Sequence, residues 1–417
     1  MDKRKIIFIL PNIYECINGV STKYTKFINY LKNNSFNFIL FTTFKDNENY
    51  NKIKNEEQIN IIKVNGLTIP FYKDIKIPII NKDDLLKEII DGNEIIVFNG
   101  EFIWVYNILK KIKKKFKNLK LYPTMHTDYI FYNENFYKNY SIKSILNFLN
   151  HYLENKTFNG IIVTGNNMKE KYTSFTNSIF NANEVNLDIF HNVKNDEYHS
   201  NFYNFIYCGR ISKEKNIEEI LDCCLLINNK FNFNFFLNII GDGPYLSNLK
   251  NIIELQYKNI SSKIIFYGSK SSEDINQLYQ SLDNRIFIFT SLSETFGKTP
   301  MEAGATGIPI FIKKCDVSLS LYNHMKNAFL FEDKNEFIES FTYFCNLNNF
   351  DKKIFISNTV NNIKKYDQNI IFNEWVEFLI YGSVKKNIDR NNINIFDMFT
   401  FHSISKLINC TGNILGE

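Results

Sequence analysis

Short, continuous apolar runs alternate with longer helical segments along the whole chain, and this alternation constrains the fold most strongly. In the first half of the chain the runs lie at residues 5–10, 37–42, 60–65, 94–98, 119–123 and 160–165. Runs without alternating polar positions are typical of strands buried on both faces of a parallel sheet. Helical patterns such as residues 20–32 and 102–117 lie between them. The alternation predicts right-handed crossovers and a doubly wound α/β sheet.

The same rhythm begins again after about residue 200, with runs at 204–209, 233–241, 263–268, 285–290 and 308–312. A chain of 417 residues is too long for one ordinary domain and suits two of about 200 residues each. We therefore predict two facing Rossmann-like domains, with the boundary in the polar stretch 191–201. The predicted limits are 1–198 for the amino-terminal domain, 199–367 for the carboxyl-terminal domain, about 368–382 for a last helix packing back on the first domain, and 383–417 for a tail of unassigned structure.

Composition narrows the classes of function. A net charge of +5, from 49 basic and 44 acidic residues, is too mild to indicate nucleic-acid binding. The seven cysteines include no C-x-x-C pair, so neither a zinc site nor a disulfide framework is expected, and a reducing compartment fits better. The opening apolar run stops at Pro11, too early for a signal peptide, and no segment approaches the ~18 apolar residues of a membrane span. These features indicate a cytoplasmic protein.

The strongest local signal is the segment SETFGKTPMEAG, residues 293–304, which follows an apolar run. Its Thr299, Pro300 and Glu302 match a helix start, with Thr299 as the cap, Pro300 at the first position and Thr-x-x-Glu as a capping box. Glu302 could therefore be only half of a helix cap. Glu294, eight positions earlier in the same loop, favours a second interpretation, in which both carboxylates face a bound sugar nucleotide. The free backbone N–H groups after Gly297 would then face its phosphates.

Two cations follow the first apolar run of the second half. Arg210 comes directly after Gly209, and Lys215 follows five residues later in the same strand-to-helix loop. Such a pair suits a diphosphate, since neutralising its charge is most of what its departure as a leaving group needs. A solvated basic turn is the alternative interpretation.

Three weaker signals also follow apolar runs. The turn GDGP at 241–244 opens a helix, and it could be no more than a turn. Asn18-Gly19 precedes a helix and offers a backbone N–H at its start for close approach. His126 follows the run 119–123 and is either a site residue or a structural histidine.

These five segments together resemble a large family of retaining glycosyltransferases with the two-domain GT-B fold, often called family 4. The family's Glu-x7-Glu is matched by Glu294 and Glu302, and its basic pair by Arg210 and Lys215. Its Gly-Asp-Gly-Pro is matched at 241–244, and its Gly-Gly-Val loop at 18–20, where Asn18 replaces the first glycine. The resemblance covers most of residues 5–335. A second departure is the missing glycine pair at 315–321.

The resemblance implies transfer of a hexose from a nucleotide-diphosphate sugar, UDP- or GDP-linked, with retention and without a metal or another cofactor. The implied catalytic residues are Arg210 and Lys215, which clamp the diphosphate, Glu294, which contacts the donor sugar, and His126, which lies beside the transferred sugar. Glu302 is implied to hold the ribose hydroxyls. The implied donor-binding residues are Gly19, Gly209, Gly241, Asp242, Phe296, Gly297, Lys298, Thr299 and Glu302.

The implied acceptor is a lipid or a glycan. The element HTDY at 126–129 is similar to relatives that glycosylate lipids, including diacylglycerol and sulfoquinovosyl transferases. Residues 110–120 carry seven lysines, which form either a solvated face or a peripheral contact with an anionic membrane surface. Nucleic acid is not an expected partner.

Two further functions stay open. One is a catalytically inactive sugar-nucleotide-binding protein, and the other is a GT-B enzyme with a different reaction, such as a sugar-nucleotide epimerase or a phosphorylase. The complete set of Glu-x7-Glu and the Arg–Lys pair favours transfer.

Overall fold

The computed structural model describes residues 4–15, 19–69, 72–100, 103–126, 157–173, 176, 178–192, 198, 202–231, 234–292, 294 and 296–384. Several positions used above lie outside the described residues: Asn18, 127–129, 193–197, 199–201, Ser293, Thr295 and 385–417.

The first sheet is parallel and carries the apolar runs of the first half of the chain. Its strands are β1 Ile6–Ile9, β2 Phe38–Thr42, β3 Ile61–Lys63, β6 Ile95–Asn99, β7 Lys120–Met125, β8 Ile161–Val163 and β9 Ile179–Asn181. Their spatial order is β3-β2-β1-β6-β7-β8-β9. The inner strand β1 places Ile6 beside Phe38 on one side and Ile95 on the other. Apolar partners on both sides are what buried parallel strands require.

Among the described residues between these strands, the elements are helices and an antiparallel hairpin. The helices are α1 Gly19–Asn33, α2 Asn47–Glu57, α3 Lys82–Glu88, α4 Ile103–Lys115 and α5 Asn166–Tyr172. The antiparallel hairpin is β4 Gly66–Ile69 with β5 Tyr72–Pro78. This hairpin was not predicted from the sequence.

The second sheet is also parallel, in the order β12-β11-β10-β13-β14-β15. Its strands are β10 Phe202–Cys208, β11 Asn234–Ile240, β12 Ile264–Gly268, β13 Arg285–Phe289, β14 Ile310–Lys313 and β15 Phe329–Phe331. Its helices are α6 Ile217–Lys230, α7 Leu246–Gln256, α8 Lys258–Ser261, α9 Ser272–Ser281, α10 Lys298–Ala305, α11 Asp316–Leu321, α12 Lys334–Asn346 and α13 Asn349–Lys364. All the apolar runs named above overlap parallel strands, so the predicted α/β class with two doubly wound sheets is confirmed.

The chain passes between the two sheets twice, and the two passages touch. The backbone N–H of Val185 donates to the carbonyl of Tyr366 at 2.8 Å, and that of Gln368 donates to the carbonyl of Val185 at 2.9 Å. The last described helix, α14 Gln368–Tyr381, then packs into the core of the first sheet. Its fully buried Trp375 stacks on Phe27 with ring centroids 4.0 Å apart. The domain limits proposed from the sequence stay a prediction.

Among the described residues, none of the helices combines the length and the apolar character that crossing a bilayer requires.

Candidate active site

The candidate site begins where the strand order of the second sheet reverses. Strands β10 and β13 are neighbours. After β10 the chain continues to β11, toward one edge of the sheet, and after β13 it continues to β14, toward the other edge. Doubly wound sheets bind ligands in the crevice at this point, outside the carboxyl ends of the strands. Arg210 and Lys215 follow β10, and Glu294 follows β13, so the fold brings these three predicted residues to one crevice.

Lys215 and Glu294 form a direct ion pair. Lys215 Nζ lies 2.5 Å from Glu294 Oε1 and 3.4 Å from Ser291 Oγ, and the two charged side chains are 18% and 15% exposed. The hydroxyl of Thr290 holds the Lys215 loop against β13, because it donates to the carbonyls of Lys215 and Asn216 at 3.1 and 2.8 Å. The residue predicted to bind the diphosphate, Lys215, and the residue predicted to contact the sugar, Glu294, are thus in contact with each other.

Arg210 differs from Lys215 in being exposed to solvent. Its backbone is fixed, since its carbonyl accepts a hydrogen bond from the Tyr207 hydroxyl at 2.9 Å. Farther along the loop, the carbonyl of Glu214 accepts from the N–H of Leu292 at 3.0 Å. The loop is therefore tied down on both sides while the guanidinium is available to an anion.

Glycines set the close packing of the strand ends. The N–H of Gly209 donates to the carbonyl of Ile240 at 3.0 Å, and the N–H of Gly241 donates to that of Gly268 at 2.8 Å. A Cβ atom on Gly241, whose φ is +131°, would lie 1.9 Å from the carbonyl oxygen of Gly209. Asp242 is exposed, and its carboxylate accepts from the N–H of Gly243 at 2.7 Å. These positions shape the turn; direct contact with a donor stays a prediction for Gly209, Gly241 and Asp242.

The helix start predicted at Thr299 is wrong. Helix α10 begins at Lys298, and Gly297 precedes it in the left-handed conformation with φ +73°. No side chain caps this helix, so Glu302 is not half of a capping box. A glycine that enters a helix from the left-handed region leaves the first N–H groups uncapped by side chains, which is the arrangement that receives anions. Phe296 packs edge-on against Tyr366 at 5.4 Å and is buried.

Glu302 lies inside a buried charged cluster. Its residue is 6% exposed, and burial raises the pKa of its carboxyl against the lowering influence of Lys298 and Lys26. Lys298 is bonded elsewhere: its Nζ lies 2.7 Å from Glu184 Oε1. Lys298 was predicted at the donor, and its contact there stays a prediction. Glu184 was not predicted, because it lies in a polar segment without periodicity.

His126 directly follows β7 and lies at the edge of the first sheet that the carboxyl ends of its strands form. Its Nε2 lies 3.1 Å from Thr124 Oγ1 and 3.3 Å from the hydroxyl oxygen of Tyr24. The Tyr24 hydroxyl donates to Thr124, and the Thr124 hydroxyl donates to the carbonyl of Phe98. Both hydroxyl hydrogens are thus used, so we assign the ring proton to Nε2. Nδ1 is then an acceptor, and it is buried without a hydrogen bond from the described residues.

Burial is also the main reason that the imidazole of His126 stays neutral. It lowers the pKa of His126 to about 3, with a further lowering by Lys23. Lys23 itself is buried on α1 and donates to Asn183 Oδ1 at 3.4 Å. Burial lowers the pKa of Lys23 to about 8, although Glu184 opposes the change.

Gly19 is the first residue of α1, and a Cβ atom there would meet nothing within 4 Å. The predicted residues thus fall into two groups, one at the edge of each sheet. The Glu184–Lys298 ion pair joins the two edges, because Glu184 follows β9 of the first sheet and Lys298 follows β13 of the second. Among the described residues, no group of three or more His, Cys, Asp or Glu is arranged to hold a metal ion.

Known proteins that are similar to this chain include glycosyltransferases. Residues 192–359 match the family model described as Glycosyl transferases group 1. The chain is 30% identical over 180 residues to an alpha-monoglucosyldiacylglycerol synthase of Acholeplasma laidlawii, covering 43% of this chain and 42% of that protein. It is 31% identical over 108 residues to the sulfoquinovosyl transferase SQD2 of Arabidopsis thaliana, covering 25% of this chain and 18% of that protein. The aligned segments span less than half the length of these two curated relatives.

Solved structures extend the likeness to the whole fold. Anabaena HepE in complex with UDP-glucose superposes with a TM-score of 0.64 at 14% identity, covering 90% of this chain and 99% of that one. Sucrose-phosphate synthase from Thermosynechococcus elongatus gives a TM-score of 0.67 at 15% identity, covering 90% and 98%. At these identities the likeness shows the fold, and the predicted two-domain GT-B architecture is confirmed.

Proposed function

We propose that the chain is a glycosyltransferase that moves a hexose from a nucleotide-diphosphate sugar to a lipid or glycan acceptor with retention of configuration, since residues 192–359 match the family model of the glycosyl transferases group 1. The observation that carries the proposal is the pairing of Lys215 with Glu294 at the switch point of the second sheet, beside the exposed Arg210. A cationic crevice at a switch point suits a nucleoside diphosphate.

The chemistry follows from where charge develops. When the bond between the anomeric carbon and the diphosphate breaks, the sugar becomes oxocarbenium-like and the diphosphate gains negative charge. Arg210 and Lys215 neutralise that charge, and the uncapped start of α10 adds its N–H groups. Binding the diphosphate would draw Lys215 from Glu294, which frees this carboxylate for the sugar hydroxyls.

Glu302 and His126 suit neutral polar groups of the donor. The buried Glu302 would accept hydrogen bonds from ribose hydroxyls, and Gly297 ahead of it, which has no side chain, would leave room for the phosphates. His126 offers Nδ1 as an acceptor for a sugar hydroxyl, while Tyr24 and Thr124 hold its Nε2. A neutral imidazole can orient a hydroxyl without adding charge beside the developing cation.

The substrates are proposed from the relatives. Anabaena HepE was solved with UDP-glucose, and two curated relatives are named for the synthesis of alpha-monoglucosyldiacylglycerol and for the transfer of a sulfoquinovosyl group. We therefore propose a UDP-sugar donor ahead of a GDP-sugar, and a glycerolipid acceptor ahead of a soluble glycan.

The first experiment is a thermal-shift panel of UDP- and GDP-sugars, followed by transfer assays with the best donor and with diacylglycerol or a glycosylated diacylglycerol. Release of nucleoside diphosphate only in the presence of acceptor distinguishes transfer from passive binding and from epimerisation. The variants Glu302→Ala and Lys215→Ala are each expected to lose most of the transfer activity. Near-normal turnover in both would contradict the donor site.

A lipid acceptor would also require contact with a membrane surface, and the lysines near the end of α4 supply a candidate. Lys111, Lys114, Lys115 and Lys117 are exposed. Lys113 and Lys120 are different, because they donate to the carbonyls of Leu119 and Ile380. We propose that the exposed four bind anionic lipid, which attracts clustered lysines by about 1 kcal/mol each.

Liposome flotation tests this contact. The quadruple variant of Lys111, Lys114, Lys115 and Lys117 to Gln is expected to lose binding to vesicles that contain phosphatidylglycerol. A control variant changes four exposed lysines of the second domain to Gln: Lys258, Lys326, Lys334 and Lys353. It has the same net charge and is expected to bind like the unchanged chain. Equal partition of the unchanged chain to neutral and anionic vesicles would remove the idea.

A further inference from the structure

Glu184 is a buried carboxylate between the two sheets that none of the sequence motifs includes. It follows β9, and its side chain is 1% exposed. Its Oε1 accepts a hydrogen bond from Lys298 Nζ at 2.7 Å. Lys298 is the first residue of α10, so this ion pair ties the donor-side helix to the edge of the first sheet.

The surroundings of Glu184 keep it ionised. Burial alone would raise the pKa of its carboxyl, but Lys298, Lys23 and Lys26 together lower it. Lys23 and Lys26 lie on α1 of the first domain, and Lys298 lies on α10 of the second. A buried charge of this kind is tolerated only when it is paired. The carboxylate is paired directly with Lys298 of the second domain and is stabilised by the nearby charges of Lys23 and Lys26 of the first.

Lys298 has a second possible partner on its own helix. Glu302 lies four residues after it, and residues at this spacing are neighbours on one face of a helix. The two side chains already influence each other, since Lys298 acts to lower the pKa of Glu302. Glu184 competes for the same ammonium group and holds it at 2.7 Å.

We propose that Glu184 is a positioning residue of the donor site: by holding Lys298 toward the first domain, it keeps the Glu302 carboxylate available to the donor and fixes the start of α10. This rests on the proposed role of Glu302 as a donor ligand. Without Glu184, Lys298 turns to Glu302 and occupies the oxygens that the nucleotide needs. Lys23 and Lys26 lose their shared counter-ion at the same time, which loosens the contact between α1 and α10.

The test measures nucleotide affinity by calorimetry in the full chain, with UDP and GDP as probes. Glu184→Gln keeps the shape and removes the charge, and it is expected to weaken binding about tenfold. The double variant Glu184→Gln with Lys298→Met is expected to bind more tightly than Glu184→Gln alone, because no lysine remains to occupy Glu302. A merely structural role of Glu184 would not give this rescue. Nucleotide affinity unchanged by Glu184→Gln, or a double variant that binds no better than it, overturns the proposal.

The matched control is Glu88→Gln. Glu88 also forms a lysine ion pair, with Lys5 of the first domain, and its side chain is 21% exposed compared with 1% for Glu184. It lies near the amino ends of the strands, at the opposite edge of the sheet. Its nucleotide affinity is expected to equal that of the unchanged chain, and a tenfold loss there would overturn the assignment to Glu184.

Hydrogen exchange separates this inference from the proposed function. If the unchanged chain binds neither UDP nor GDP, the proposed donor is wrong, and amide exchange without ligand decides the role of Glu184. The amides of residues 298–302 and 19–26 are then expected to exchange faster in Glu184→Gln than in Glu88→Gln. Equal exchange in both variants overturns the proposal.

Discussion

The carboxyl edges of the two sheets are held together in different ways. In the second sheet the loops are fixed by backbone contacts between glycines, and charged side chains such as Lys215 and Glu294 lie on that frame. The corresponding edge of the first sheet carries, in addition to its backbone bonds, a buried network of side chains in which His126 contacts the Tyr24 hydroxyl and packs against its ring. The difference suggests a division of labour, in which one edge supplies charge for a diphosphate and the other supplies neutral polar atoms for a sugar.

The largest expected effect tests the backbone frame. Gly241→Ala places a Cβ atom 1.9 Å from the Gly209 carbonyl oxygen at a φ of +131°. Because neither strand end can move away without breaking the sheet, we expect a loss of about 4 kcal/mol in the free energy of unfolding of the second domain. Urea unfolding followed by circular dichroism measures it.

Gly19→Ala is the control from the other edge. A Cβ atom at Gly19 meets nothing within 4 Å, so its free energy of unfolding is expected to change by less than about 0.5 kcal/mol. If both variants unfold at the same urea concentration, the edges do not differ as described.

The next effect concerns charge on that frame. Arg210→Ala removes an exposed guanidinium from a loop whose backbone is fixed independently, so the fold is expected to persist. Loss of one preorganised group that stabilises the leaving charge costs about 100-fold in kcat, or about 2.7 kcal/mol. Lys213→Ala removes an equally exposed cation three residues away and is expected to leave kcat unchanged. Equal kcat values for the two variants would mean that the loop carrying Arg210 is only a solvated basic turn.

The same difference explains what the sequence could predict. Close contacts between backbone segments leave a local signature in the sequence, because only glycine fits where a Cβ atom would clash with the neighbouring backbone. Each of these glycine turns also directly follows an apolar run. Arg210, Lys215 and Glu294 were therefore placed at strand ends correctly from spacing alone, although their roles stay predictions. Networks of side chains leave no local signature of this kind, because their members are distant in sequence. The hydrogen bond from Tyr24 to Thr124 joins residues 100 positions apart.

Two local readings show the limit. The pattern Thr-x-x-Glu predicted a capping box at Thr299, but Gly297 in the left-handed conformation starts the helix one residue before it. The preference of Thr for helix caps was overridden by a glycine two positions upstream. Glu184 was missed because its partner Lys298 is 114 positions away, and nothing in a single sequence joins the two.

A smaller effect is expected where the chain returns to the first domain. Asp367 caps α14 by accepting from the N–H groups of Asn369 and Ile370, and burial raises its pKa to about 6, although these two bonds lower it. The folded state therefore binds this proton more tightly than the unfolded chain, whose value is about 3.9. The contribution of Asp367 to stability is greatest below pH ~4, falls as the pH rises to ~6, and is constant above that.

Asp367→Asn keeps a capping side chain and removes the buried charge. At pH 7 we expect it to be more stable than the unchanged chain by about 2 kcal/mol, with the difference shrinking toward pH 4. Thermal unfolding at pH 4, 5.5 and 7 measures the trend. A variant that is less stable at pH 7 would mean that the charge itself is favourable at this junction.

The last prediction is that His126 does not change its protonation state near neutral pH. It tests whether the edge of the first sheet is neutral. Since burial and Lys23 lower the pKa of His126 to about 3, its imidazole stays neutral from pH 8 down to pH 5. In a chain labelled with 15N-histidine, the ring signals of His126, assigned by their loss in His126→Asn, are expected not to shift across that range. The Nε2 signal should be that of a protonated nitrogen and the Nδ1 signal that of a bare one, because the Tyr24 and Thr124 hydroxyls already use their hydrogens. A midpoint near 6.5 would mean that His126 is partly charged near neutral pH and charged at pH 5, and the two edges would then no longer divide into a charged and a neutral one.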